Sequence, residues 1–190
     1  MRTVLIKLAH FVTVMLYVLV AGVMWGTWLA LARTMTRYDA TTFLTDGKHM
    51  IDNLATVMAV LMICATAAGL VSTVLLFLSR SRPGAWFALA GLVLMIAVLV
   101  VTVTVEVPID NKIRDWTVPT LPSDWEDTRA RWADFHTLRT FLALVAVAAA
   151  VAAALTTRNR ARRDHGSGSE VPEADPPGVA SRTGRRRLTD

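Results

Sequence analysis

Residues 54–78 read LATVMAVLMICATAAGLVSTVLLFL, residues 79–84 read SRSRPG, and residues 85–105 read AWFALAGLVLMIAVLVVTVTV. Both apolar runs lack Asp, Glu, Lys and Arg, and each is as long as the about 20 residues that carry a helix across a hydrocarbon core. Hydrocarbon offers no water to backbone N–H and C=O groups, so each run must satisfy its own hydrogen bonds as a helix. Between the runs, Pro83 and Gly84 stop one helix and turn the chain, which makes the two helices antiparallel neighbours.

The same pattern recurs on either side. Residues 11–32 are free of charge, with Arg2 and Lys7 before them and Arg33 and Arg37 after, and residues 140–157 form a fourth charge-free run. The first run carries a small-x-small sequence at Ala30-Leu31-Ala32, but it is longer than the about 7–15 residues of a secretory signal core and reads as a span. The expected fold is therefore all-α: four transmembrane helices at about residues 8–32, 54–78, 85–106 and 138–157, in one domain over residues 1–157. The lipid bilayer is the expected partner of that domain.

Composition agrees. The chain is 54% hydrophobic, above the about 45–50% of soluble domains, and the excess sits in these blocks. The net charge of +5 flanks the spans or crowds into residues 158–190 and forms no single binding face, so no nucleic-acid partner is expected. Cys64 is the only cysteine, which excludes an intrachain disulfide and a cysteine-built metal site, and its apolar setting reads as a packing position. The four histidines have no paired spacing, so no metal is expected either. Gly22 and Gly26 form a GxxxG through which another helix could approach, and Trp25 and Trp28 read as interfacial anchors.

Four spans put both termini on one side. Lys and Arg near the helix ends divide equally between the two sides, but the short loop at residues 79–84 is basic and the opposite loops are long. Those features favour a cell-membrane protein with cytoplasmic termini. Residues 158–190 turn to Arg, Gly, Ser, Pro, Glu and Asp without apolar periodicity and are expected to form a disordered cytoplasmic tail. Its clusters at Arg158, Arg160, Arg162 and Arg163 and at Arg185, Arg186 and Arg187 could touch anionic lipid headgroups or simply stay solvated.

Chemistry concentrates at one end of the spans. Thr102 and Glu106 lie one helical turn apart where the third run ends, and an acid there sits either at the water boundary or, partnered, in the bundle interior. Pro122, Ser123 and Glu126 predict a capped helix start at Ser123, an interfacial helical extension leading into the fourth span. From there Trp125, Arg129, Trp132, His136 and Arg139 recur at intervals of 4, 3, 4 and 3, which aligns them along one stripe. Such residues are also ordinary belt residues at a membrane interface. Asp127 and Arg131, on another face, have the spacing of a solvent-side ion pair.

The segment VEVPIDNKIRDW from Val105, then PSDW, then RARWADFHTLRT ending at Thr140, resembles the anthrone-oxygenase-like family of small four-helix membrane proteins. Pro108, Trp116, Trp125, Arg131, Trp132, His136 and Arg139 carry the resemblance. Where this chain has Glu106 and Asp110, the family commonly has asparagine, so any site here differs in charge. The resemblance implies oxidation of a hydrophobic phenolic substrate by molecular oxygen without metal, flavin or other cofactor. Such chemistry needs a base and a stabiliser of negative charge, which His136 and Arg139 could supply, with Glu106 or Asp110 orienting the one or pairing with the other. Alternatively, acid and arginine simply neutralise each other at the membrane edge. Trp125 and Trp132 would stack on the substrate ring, with Arg131 and Asn111 completing its binding set.

Two rival classes remain open on the residues. A non-catalytic membrane protein that binds a lipid or a partner helix would use the same residues as interface contacts. A carrier or channel needs a polar path, and the first two spans supply only hydroxyls. The sequence leaves the oligomeric state open.

Overall fold

The computed structural model describes residues 2–79 and 82–166. Helices α1 (Arg2–Thr27), α2 (Ala40–Leu78), α3 (Arg82–Val101) and α5 (Trp125–Gly166) form the bundle, and the short α4 (Val107–Asp115) lies between the last two. Among the described residues, four helices are long and apolar enough to cross a membrane. Each long helix packs on two others, α1 on α2 and α5, and α3 on α2 and α5, which closes a four-helix ring. Leu5, Phe11, Leu70 and Trp86 remain on the outer surface, as lipid-facing side chains do.

The spans are parts of longer helices. Helix α2 is 39 residues long and begins at Ala40 instead of near residue 54, so much of the expected first loop is helical. Asp39 caps it, accepting from the Thr42 N–H at 3.0 Å, and that hydrogen bonding holds the Asp39 carboxyl below its ordinary range. Although Asp46, Lys48 and Asp52 interrupt the charge-free run, Phe43, Leu44 and Ile51 keep one apolar face. That face packs with Ile109, Ile113 and Trp132 in a second core at the end of the bundle remote from the N-terminus. Lys48 Nζ donates to the Trp116 carbonyl at 2.7 Å, and Arg114 lies 3.4 Å from Asp52, so α4 is fastened onto the α2 extension.

The helix of the third span does not end at Glu106. Helix α3 passes through a π-helical segment, Thr102–Glu106, directly into α4. Pro108 follows within that continuous helix, and because it has no N–H to give to the preceding turn, the hydrogen-bond ladder is interrupted beside the π segment. A second π segment, Trp28–Ala32, ends α1.

The extension before the last span is present, but it starts at Trp125, and no capping box forms between Ser123 and Glu126 among the described residues. The Pro122 carbonyl accepts from the Trp125 N–H at 3.2 Å, and Glu126 instead pairs with Arg129 at 3.8 Å. A capping box forms earlier, between Thr117 and Thr120. Asp127 and Arg131 form no ion pair among the described residues; Arg131 lies over Phe135, 5.7 Å from its ring centre.

Helix α5 continues past Thr157 to Gly166, as its alanines and arginines favour. The remaining tail, residues 167–190, with its expected disorder and its second arginine cluster, lies outside the described residues.

Close helix packing comes from glycines other than the expected pair. Gly22 and Gly26 face open space. A side chain at Gly69 would run into the Tyr17 hydroxyl, and one at Gly91 would stand 3.2 Å from the Ala146 carbonyl oxygen. Cys64 is exposed on the outer face of α2 and is not a packing residue. Trp25 and Trp28 stack on each other at 5.0 Å between centroids, both meet Phe141 edge-on, and the Trp28 indole donates to Thr137 at 3.0 Å.

Candidate functional site

A cavity of about 210 Å³ opens among the bundle helices toward the end remote from the N-terminus. Most of its wall is apolar. Met24 from α1 and Met50, Met58 and Met62 from α2 line it, and unbranched thioethers adapt readily to the shape of a ligand. The polar side comprises Thr27, Thr102, Asp110, His136 and Arg139, with Trp132 beside them.

The predicted stripe on α5 does turn inward. Trp132 and His136 are almost fully buried and stack with rings 11° from parallel and centroids 4.8 Å apart. One turn further, Arg139 donates through Nη2 to His136 Nδ1 at 2.9 Å and through Nη1 to Thr102 Oγ1 at 3.1 Å. A guanidinium only donates, so Nδ1 is the acceptor and the ring proton sits on Nε2. From there it is donated to the Met24 carbonyl at 3.2 Å. As placed, His136 is the neutral tautomer and the lone pair a base would use is occupied.

Glu106 reaches the same guanidinium from the π segment. Its Oε2 lies 3.1 Å from Arg139 Nη2, and the residue is 0% exposed. The approach lacks hydrogen-bond geometry, so both carboxylate oxygens remain without a hydrogen-bond donor among the described residues. Glu106 therefore lies in the interior as the counter-ion of Arg139 and does not line the cavity.

Asp110, on α4, does line it. Its Oδ1 accepts from the Trp132 indole N–H at 3.1 Å, while Oδ2 has no partner among the described residues. Five of the sequence candidates thus meet at or directly behind one cavity wall: Asp110, Trp132, His136 and Arg139 line it, and Glu106 lies behind Arg139. Trp125 belongs elsewhere, with Arg129 over its ring at 4.5 Å and Phe43 beside it at 5.4 Å, and Arg131 and Asn111 are exposed outside the cavity. The methionines and Thr27 went unrecognised in the sequence; the spacing of Met58 and Met62, one helical turn apart, was the available signal.

Among the described residues no group of three or more His, Cys, Asp or Glu side chains is placed to hold a metal ion. The family model described as anthrone oxygenase matches residues 48–149, more than half of the chain. The matched stretch runs from the α2 extension into α5 and carries most of the cavity's polar side. No curated protein and no solved structure matches the chain.

Proposed function

The chain belongs to the anthrone oxygenase family, and from that premise we propose that it oxidises a hydrophobic phenolic substrate with molecular oxygen inside the bundle cavity, without a cofactor. The observation that carries this reading is the convergence of Asp110, Trp132, His136 and Arg139 on one largely apolar cavity. A cavity of about 150 Å³ already accepts a benzene ring, and this one is larger, at about 210 Å³.

The chemistry converts an activated ring methylene to a carbonyl. One oxygen atom of O₂ enters the carbonyl, and the other leaves as water with the two methylene hydrogens. Asp110, whose Oδ2 is open, takes the first proton and leaves an electron-rich anion that reduces oxygen. The developing oxyanion draws the Arg139 guanidinium toward it, which releases His136 Nδ1 as the second proton acceptor. Trp132 and the methionine wall hold the ring and keep water away.

The termini lie on the cytoplasmic side, so the cavity sits in the outer half of the membrane. Purified protein in neutral detergent should consume oxygen when given an anthrone-type substrate and form an equal amount of the quinone. Full turnover in the His136→Ala and Asp110→Asn variants would remove the proposed proton acceptors, and absence of oxygen uptake in the unmodified protein would remove the oxygenase.

A further inference from the structure

The geometry points to a cavity that selects hydrophobic ligands whose polar end donates a hydrogen bond or carries positive charge, and that rejects carboxylates, with Asp110 as the selecting residue. This rests on the cavity being the ligand site, as proposed above, and concerns what may enter it. Arg139 would ordinarily mark a pocket for anions. Here its charge is already matched by Glu106 at 3.1 Å, and its Nη atoms are committed to Thr102, His136 and Glu106. His136 adds no charge, because Arg139 donates to Nδ1 and the ring donates from Nε2 to Met24.

Glu106 and Asp110 both act on the single guanidinium of Arg139, so two acids face one cation and the excess negative charge falls at Asp110 on the cavity wall. One turn along its own helix, Arg114 lies against Asp52 at 3.4 Å. Oδ1 of Asp110 takes the Trp132 indole, and Oδ2 remains unfilled among the described residues. A carboxylate in an apolar enclosure is stabilised by a ligand that supplies an O–H or N–H, and a second anion beside it is repelled. The substrate therefore enters neutral, as a phenol, and negative charge arises only after proton transfer.

Three probes with one bicyclic skeleton separate the possibilities: 2-naphthol, 2-naphthylmethylamine and 2-naphthoate. They are titrated calorimetrically into the full chain in neutral detergent, with protein-free micelles as reference. The naphthol and the amine should bind on the order of tenfold more tightly than the carboxylate, the worth of one charge-assisted hydrogen bond. Asp110→Asn keeps an oxygen for the Trp132 indole and should shrink that preference to about threefold or less. Equal or tighter binding of the naphthoate overturns the inference, as does binding of none of the probes. A preference unchanged in Asp110→Asn takes the role from Asp110. Correct selection without oxygen uptake would leave this inference standing and remove the oxygenase reading.

Discussion

Arg139 donates to Nδ1 of His136 across 2.9 Å, one turn away on the same helix, and so decides which imidazole nitrogen carries the proton. The same guanidinium nitrogen lies 3.1 Å from Glu106. A residue from the π segment after α3 thereby acts on the imidazole through the arginine of α5, and tautomer, cation and counter-ion form one unit. Its parts should be inseparable in mutagenesis.

Removing one member of the buried pair leaves the other charged and unpaired. Arg139→Met or Glu106→Leu alone should lower stability by about 3–5 kcal/mol, whereas the double variant should recover much of the loss. Thermal unfolding of the four proteins in one detergent measures the coupling. Additive losses would mean that the ion pair contributes nothing as a pair.

If Asp110 and His136 accept the two protons, their loss should act on kcat. Asp110→Asn and His136→Ala are each expected to reduce it by about 10²–10⁴-fold, the usual worth of a positioned acid or base. Steady-state oxygen consumption at saturating substrate provides the number. A change in KM alone would assign these residues to binding.

Glycine substitutions should separate real helix contacts from apparent ones. Gly91→Val drives a side chain toward the Ala146 carbonyl, and Gly69→Val drives one toward the Tyr17 hydroxyl, so each should cost about 1–3 kcal/mol through overpacking. Gly22→Leu and Gly26→Leu point into open space and should unfold within a degree or two of the parent in detergent, about the scatter of neutral surface changes. A large loss at Gly26 would reveal a contact beyond this chain.

The bundle was legible because hydrocarbon imposes one rule on every residue of a span, and uninterrupted runs such as residues 54–78 record it. Helix ends were less legible. Lys48 and Asp52 end the charge-free run without ending the helix, because Phe43, Leu44 and Ile51 still have apolar partners beyond the lipid. At the site, regular α periodicity identified the α5 stripe but could not place Glu106 relative to it. The π segment at Thr102–Glu106 changes the register of α3 just where the acid occurs, so Thr102 and Glu106 both meet Arg139, and Thr102 donates to Val98 instead of to Glu106. The GxxxG at Gly22 and Gly26 misled for a related reason: the spacing shows that two small residues share a face, and nothing in it tells which way that face points.

The orientation of the bundle decides where a substrate would arrive, and one exposed position can test it. Ser123 lies on the surface just before α5, at the cavity end of the molecule, and Cys64 is the only native thiol, so Cys64→Ser with Ser123→Cys carries a single reporter. With cytoplasmic termini, a membrane-impermeant maleimide added to intact cells should label it. Labelling that occurs only after the membrane is opened would invert the topology. The cavity would then face the cytoplasmic half of the bilayer, while the Arg139–Glu106 pairing that defines its chemistry would be unchanged.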